Sequence, residues 1–341
     1  MIQTYMRREV MEIPQAVARL LDRSAADMER AGKELRAVDP RVLVSVARGS
    51  SDHAASFLQY SIELTAGIPV ASLGPSIGSI YGAKLKLAGA ACLAISQSGK
   101  SPDIVAMAKT ARESGALTIA LTNTPGSPLN GISSHAIDIA AGPELSVAAT
   151  KTFVNSAVAG LVVIAHWTRD DDLLAAVHRL PDHLENAIAC DWSAFADALG
   201  DESSLFILGR GPSLAIANEV ALKFKETCSI HAEAYSAAEV MHGPLALVGP
   251  AFPVLVLASR DQSEPSVVQC ADDLAARQAA VFATSHKVQS AVQLPFVATG
   301  HRLTDPLALI ASFYSFIEGF ALRRGFNPDQ PRNLRKITET V

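Results

Sequence analysis

Two stretches of this chain, 162 positions apart, carry one pattern. Val42-Leu43-Val44-Ser45-Val46-Ala47-Arg48-Gly49-Ser50-Ser51 is an apolar strand running into a glycine turn and a helix. Leu205-Phe206-Ile207-Leu208-Gly209-Arg210-Gly211-Pro212-Ser213 repeats it, so that Arg48, Gly49 and Ser51 are answered by Arg210, Gly211 and Ser213. The helical segments that follow, 52–65 and 214–227, match in length. An offset near half the chain predicts two copies of one domain, because solenoid repeats have periods of only about 20–50 residues. The total of 341 residues suits two domains of about 150–170 residues each.

Within the first copy, short apolar strands near 42–46, 68–73, 91–95, 117–121 and 136–140 alternate with helical segments. Fully apolar strands separated by helices predict an α/β fold with a parallel sheet covered on both faces. The expected layout is a helical segment over 1–35, a first domain over 36–180, a second over 181–325, and a tail over 326–341. A further helix is expected near 305–324. The longest apolar stretch, Phe153 to Trp167, contains Asn155, Ser156 and His166. It is too short to cross a bilayer and predicts a buried helix.

Ser96-Gln97-Ser98-Gly99-Lys100-Ser101 follows the apolar run Ala90–Ile95 and opens a helix at Asp103. A strand ending in hydroxyl residues and a glycine before a helix start is an anion cradle. Free backbone N–H groups, the positive helix end and the hydroxyls all face the same point. Phosphate is the expected guest; the plainer alternative is a structural corner with serine as N-cap. Ligands of parallel sheets sit beyond the carboxyl ends of the strands. Gly49-Ser50-Ser51 and Ser96–Ser101 both belong to that edge, and together they form the predicted phosphate site. The repeat offset carries Ser96 and Ser98 onto Ala258 and Arg260, within Leu257-Ala258-Ser259-Arg260-Asp261. The cradle is missing there, which predicts one phosphate site per chain, in the first domain.

A formal charge of −5 argues against nucleic-acid binding, which needs a basic face. Cys92, Cys190, Cys228 and Cys270 stand far apart, with neither zinc-ligand nor disulfide spacing. His231 and Glu233 do not make an H-E-x-x-H pattern. No metal and no cofactor is therefore expected. The start, Met1-Ile2-Gln3-Thr4-Tyr5-Met6-Arg7-Arg8-Glu9, lacks the apolar core of a signal peptide. A cytoplasmic protein without membrane contact is the expectation.

Three clusters offer proton chemistry. In Asn218-Glu219-Val220-Ala221-Leu222-Lys223-Phe224-Lys225-Glu226, Glu219, Lys223 and Glu226 fall on one helix face. They form either a solvated ion-pair ladder or a carboxylate base, Glu226, beside an orienting cation. His242 precedes Gly243-Pro244, which ends a helix and presents the imidazole on a turn, where histidine can shuttle protons. In the tail, Asn327 to Lys336, a Pro-rich polar terminus is normally frayed. A lysine there could cap a site and form an imine with a carbonyl sugar.

These motifs together resemble the sugar isomerase (SIS) superfamily, specifically the two-domain isomerase half of glucosamine-6-phosphate synthase. The resemblance rests on Arg48-Gly49-Ser50-Ser51, Ser96-Gln97-Ser98-Gly99, Glu144–Lys151, Ala221–Glu226, His231–Tyr235, His242–Ala246 and Asp329–Leu334, in that order over about Met6 to Lys336. It implies tandem flavodoxin-like domains. It assigns the phosphate to Ser51, Ser96, Gln97, Ser98 and Ser101, with Gly49, Ser50, Val147 and Ala148 as further substrate contacts. Glu226 would move the proton between C1 and C2 with Lys223 beside it, and Lys336 would contact the open-chain carbonyl. His242 would open the sugar ring from the neighbouring subunit of a homodimer.

Lys100 stands where that family has an acidic residue, and Arg335 where it has a small one. No glutaminase segment is expected ahead of Met1-Ile2, so glutamine is not the expected ammonia source by that route. The forms of the first two loops look more like type II glucosamine-6-phosphate deaminases. The expected reaction is glucosamine 6-phosphate plus water giving fructose 6-phosphate and ammonia. The alternatives are a sugar-phosphate aldose–ketose isomerase, a fructosamine-6-phosphate deglycase and a non-catalytic phosphosugar sensor.

Overall fold

The structure is a computed structural model that describes residues 3–336. The chain divides into two compact units. One comprises Gln15–Glu144, Lys151–Arg179 and Lys336; the other comprises the chain through Pro14, Leu145–Thr150 and Leu180–Arg335.

In the first unit the strands are β1 (Leu43–Val46), β2 (Val70–Ser72), β3 (Ala91–Ile95), β4 (Leu117–Thr122) and β5 (His135–Asp138). They form one sheet in the order β2-β1-β3-β4-β5, and every pair is parallel. Every residue of β1, β3 and β4 is buried, as expected where helices cover both faces. Alternation along the strand decides which helix each residue meets. Val44, Val46, Cys92 and Ala94 pack with Ile104, Met107 and Ala108 of the helix Pro102–Glu113. Leu43, Leu93, Ile119 and Leu121 instead border a small apolar cavity with Leu35, Leu58 and Val163 of three other helices. The long apolar stretch forms the helix Lys151–Thr168, buried along nearly its whole length, as the sequence predicted.

The second unit repeats the winding. Its strands are β6 (Ser204–Gly209), β7 (His231–Ser236), β8 (Pro253–Val256), β9 (Ala280–Ala283) and β10 (Val292–Gln293). The order β10-β9-β8-β6-β7, read from its other edge, is second-first-third-fourth-fifth, as in the first sheet, and again all parallel. Two sheets of five parallel strands with one topology are the structural form of the repeat. Each has its switch point between the first and third strands, β1/β3 and β6/β8, where α/β sheets open a crevice for ligands.

The expected N-terminal segment is three helices, Tyr5–Met11, Ile13–Arg23 and Ala25–Val38. The first belongs to the second unit, where Arg7 Nε donates to Glu318 Oε2 at 2.8 Å. The tail is not frayed at its start: the Asp329 carboxylate accepts the backbone N–H groups of Tyr5 and Met6, both at 2.8 Å. Among the described residues one helix, Asp305–Arg323, is long and apolar enough to cross a membrane. Most of it is buried in the unit's own core, which is what its hydropathy serves.

Candidate functional site

In the first unit the two serine loops leave β1 and β3, which pair in register with Val46 beside Ala94. Gly49, at φ +55°, turns the chain into the helix Ser50–Thr65 and places Ser51 in its first turn. In the second loop Gly99 stands at φ +61°, and a Cβ there would lie 2.1 Å from Ser127 Oγ. Only glycine fits, on both conformational and steric grounds.

The second loop is tied down from below. The Gln97 carbonyl accepts Asn123 N–H at 3.0 Å, and the Gly99 carbonyl accepts Leu129 N–H at 3.1 Å. Ser96 is buried, and its Oγ accepts Gly99 N–H at 3.2 Å. Ser98 Oγ accepts Lys100 N–H at 3.3 Å. Gln97, Ser98 and Ser101 are half-buried, and Lys100 is exposed. Ser101 occupies the N-cap of the helix Pro102–Glu113 without making a side-chain cap. Its hydroxyl is thus not committed to the helix it precedes.

An ion pair joins the two loops. Arg48 Nε donates to Asp103 Oδ2 at 3.0 Å, and Asp103 is fully buried in the first turn of that helix. Burial raises the Asp52 carboxyl above its ordinary range, against the opposing pull of His53 and Arg48. No local pattern pairs Arg48 with Asp103, since the partners lie 55 positions apart.

The second unit shows the same corner closed. Ser213, the counterpart of Ser51, is buried, and its Oγ shares a 2.5 Å hydrogen bond with the buried Ser259 Oγ. Arg260 donates from Nε to Asp305 Oδ2 at 2.7 Å and from Nη1 to the Thr284 carbonyl at 2.7 Å. Its guanidinium also lies 4.0 Å from the Phe296 ring centroid. Hydroxyls that bond each other and an arginine bonded to its own domain leave no serine cradle there.

The proton-transfer candidates of the second unit lie on the helix Pro212–Cys228. Glu219 and Lys223 are fully buried, and the Glu226 side chain is 18% exposed. Lys223 Nζ donates to Glu226 Oε2 and stands 3.4 Å from Glu219 Oε1. The same Glu219 oxygen accepts the Tyr314 hydroxyl at 3.0 Å. This is no solvated ladder. Burial of the ammonium acts to lower the Lys223 pKa, but Glu219 and Glu226 together outweigh it and hold it above the ordinary lysine value. Two carboxylates facing one ammonium leave a surplus negative charge, and Glu226 is the member that reaches the surface. Tyr314 lies on the helix Asp305–Arg323, with no local signal in the sequence to pair it with Glu219.

His242 closes the 3₁₀ turn Glu239–His242 and is exposed, with Gly243 following at φ +143°. On β7, the Tyr235 hydroxyl donates to Glu233 Oε2 at 2.8 Å. In the segment Leu145–Thr150, Val147 is half-buried and Ala148 fully buried, so the Ala148 methyl is turned into the protein. In the first unit, Lys336 Nζ donates to Glu144 Oε2 at 3.1 Å. Glu144 also accepts Thr152 N–H at 3.1 Å and Thr152 Oγ1–H at 2.7 Å. Among the described residues no group of three or more His, Cys, Asp or Glu side chains could hold a metal ion.

The SIS-domain family profile matches residues 38–165 and 198–320. The chain belongs to the SIS-domain family. It is 34% identical over 344 residues to the isomerising glutamine–fructose-6-phosphate aminotransferase of Sulfurisphaera tokodaii, covering 99% of this chain and 56% of that protein. The chain thus spans about half the length of the curated relatives it matches. Among solved structures, a protein from Silicibacter pomeroyi assigned as a phosphosugar isomerase is 57% identical, with a TM-score of 0.93 over 96% of this chain and 100% of the other. The C-terminal domain of the Francisella tularensis glucosamine-fructose-6-phosphate aminotransferase is 26% identical, with a TM-score of 0.87 over 97% and 99%. The glucosamine-6-phosphate deaminase of Thermotoga maritima shares the fold at 18% identity, with a TM-score of 0.77 over 99% and 100%.

Proposed function

We propose that this protein moves a proton between C1 and C2 of a phosphorylated sugar, and that its reaction is the isomerising deamination of glucosamine 6-phosphate. The carrying observation is the buried stripe Glu219–Lys223–Glu226, in which a single carboxylate reaches the surface beside a lysine whose charged form its two carboxylate neighbours favour. A surface ladder would contribute only a few tenths of a kcal/mol per pair, about 0.3–0.5. Burying three charges costs far more, and that cost is tolerated where the charges have a task.

Ser51, Ser96, Gln97, Ser98 and Ser101 hold the phosphate, so that binding energy far from the reacting carbons orients the sugar. His242 opens the pyranose from a second copy of the chain, a role suited to its exposed turn. The open form carries an aldehyde at C1. Glu226 takes the C2 proton, which that carbonyl acidifies, and returns it to C1. An imine remains at C2; water adds to it, and ammonia leaves as the ketone forms. Lys336, held by Glu144 as an ion-pair donor, assists at the carbonyl oxygen. A bare aldose–ketose isomerisation uses the same steps without the amine, and the assignment of the Silicibacter pomeroyi relative favours it as the second reading.

The test is incubation of the full chain with glucosamine 6-phosphate, following ammonia, fructose 6-phosphate and solvent deuterium entering the sugar. Equal amounts of ammonia and fructose 6-phosphate are expected. Deuterium exchange on glucose or fructose 6-phosphate without ammonia would select the isomerase. Glu226→Gln should lower turnover by about 10²–10⁴-fold, the usual contribution of a general base, with sugar-phosphate binding retained. An equal loss of binding would remove Glu226 from the role.

A further inference from the structure

The serine loops of the first unit offer an anion neutral donors, hydroxyls and backbone N–H groups. A phosphate monoester carries about −1.5 to −2 charges at neutral pH, and a chain of net charge −5 offers it no general attraction. Two cations stand on the loops themselves. Arg48 directly precedes Gly49, and Lys100 lies between Gly99 and Ser101.

Arg48 commits only one side of its guanidinium. Nε and Nη2 both reach the same oxygen, Asp103 Oδ2, each at 3.0 Å. A guanidinium has five N–H donors in a rigid plane. Nη1 and the second N–H of Nη2 form its outer fork, which among the described residues has no partner. The arginine side chain is 54% exposed, while the carboxylate that orients it is buried in the first turn of the helix after Ser101. The Lys100 ammonium is exposed, and among the described residues it too has no ion-pair partner. Asp52, in the first turn of the helix after Gly49, adds a negative charge to this corner, and burial works against its ionised form.

The second unit is an internal control. There Arg210 Nη1, the counterpart of the uncommitted atom, donates to Ser266 Oγ at 3.1 Å. The repeat offset carries Lys100 onto Gln262. The corner that lacks the serine cradle thus has neither the uncommitted Nη1 nor the loop lysine.

We infer that Arg48 and Lys100 are phosphate-binding residues: the outer fork of Arg48 takes two phosphate oxygens, and Lys100 adds a point charge that favours a doubly charged ester over a singly charged one. A planar fork matches two oxygens of a phosphate, whereas an ammonium acts through charge alone. The inference rests on the reading of Ser96–Ser101 as the phosphate site.

The experiment measures binding to the full chain by calorimetry at about pH 8, where the phosphate is a dianion. The probes are glucitol 6-phosphate, which has no carbonyl and cannot turn over, and glucitol 6-sulfate, of the same shape with one negative charge. Arg48→Lys keeps a cation for Asp103 but lacks the fork. It should weaken glucitol 6-phosphate about tenfold, the effect of one hydrogen bond to a charged group. The loss should persist in the Asp103→Asn background, because the phosphate contact does not run through Asp103. Wild-type affinity in Arg48→Lys, or a loss that vanishes beside Asp103→Asn, would make Arg48 a tie between loops and overturn its assignment.

Lys100→Met alters an exposed side chain and keeps the test open if the Arg48 variants fold poorly. It should weaken the phosphate ester about fivefold at low salt, the upper scale of an exposed pair. The sulfate ester should lose only about twofold, since Coulomb energy scales with the charge of the ligand. Both losses should fade above about 0.5 M salt. Equal losses for the two esters, or none, would overturn the role of Lys100. Ser98→Ala and Ser101→Ala separate this inference from the reading beneath it. If they weaken glucitol 6-phosphate while the Arg48 and Lys100 variants do not, the serine cradle stands and the two cations are excluded. If the wild type binds neither ester, or both serine variants bind as wild type does, the cradle reading falls and takes the two cations with it.

Discussion

Lys223→Met is the perturbation that most directly tests whether the Glu219–Lys223–Glu226 stripe is a coupled buried unit. The methionine stem replaces the lysine stem with little change in volume, so the packing around this fully buried side chain is largely kept. The ammonium is lost, and Glu219, fully buried, keeps its charge with the Tyr314 hydroxyl on Oε1. Breaking a buried ion pair from one side costs about 3–5 kcal/mol, because the remaining charge is left uncompensated. Removing both charges together, as in Glu219→Gln/Lys223→Met, should cost much less, since well-packed neutral groups replace buried pairs at little loss. Urea unfolding of the full chain, with midpoint and slope both recorded, reads the difference. The two units each have a core, so the transition assigned to the second unit is the one to follow. At about 2–4 °C per kcal/mol for a domain of this size, the single variant should melt about 6–20 °C below wild type.

The loss should depend on pH in one direction. Losing the neighbouring ammonium raises the folded-state pKa of a buried carboxylate. In Lys223→Met the folded protein therefore binds a proton more tightly than the wild-type fold does. The destabilisation is full at pH values above that raised pKa and is recovered as pH falls through it. A single variant that loses less than about 1 kcal/mol, the scale of an exposed pair, would refute the reasoning. So would a double variant as unstable as the single one.

Gly99→Ala places a methyl group 2.1 Å from Ser127 Oγ at φ +61°. The left-handed backbone costs about 1–2 kcal/mol and the overpacking about 1–3. Thermal unfolding of the first unit should fall accordingly, and stabilisation by added glucosamine 6-phosphate should disappear; retained stabilisation would detach the loop from phosphate binding. The cysteines give a chemical test. Burial pushes Cys92 up to about 12 and Cys228 and Cys270 up to about 11. Their thiolates are scarce at neutral pH, so a thiol reagent applied to the folded protein should modify Cys190, the half-buried one, before the other three. Denaturant should release all four, and fast modification of Cys92 in the folded state would contradict the packing of β3.

The sheets are legible in the sequence because parallel strands buried on both faces leave mostly apolar runs, and Leu43–Val46, Ala91–Ile95 and Leu117–Thr122 are such runs, broken only by Ser45, Thr118 and Thr122. The glycine turns were legible for a local reason as well: Gly49 and Gly211, at φ +55° and +59°, each stand directly between a strand and a helix. The boundary of the compact units was not. It runs through the expected N-terminal segment, because Arg7 of the first helix finds Glu318 more than three hundred positions later, and no local pattern encodes a partner at that distance. The same limit hid Tyr314 from Glu219 and Asp103 from Arg48. It also left the Glu219–Lys223–Glu226 spacing ambiguous, since three and four residues between charges serve a solvated ladder and a buried triad equally. Burial decides between them, and burial is a property of the whole fold.

Ser51 and Ser213 carry this reasoning one step further, because the repeat makes each the control for the other. They occupy one position in two sheets of one topology, each in the first turn of the helix after a positive-φ glycine. Ser51 is half-buried, and the two loops at its corner are joined by the Arg48–Asp103 pair at 3.0 Å. Ser213 is buried against Ser259, and Arg210 donates instead to Ser266 Oγ at 3.1 Å. An ion pair between a half-exposed guanidinium and a buried carboxylate joins two loops without itself using a serine hydroxyl. A serine–serine bond joins the loops by using the hydroxyls themselves. The first arrangement suits a cradle for an anion, and the second a corner that closes on itself. The loss of Ser96 and Ser98 at Ala258 and Arg260 is then one part of a larger change, in which Ser213, Arg210 and Arg260 each take a partner within their own domain.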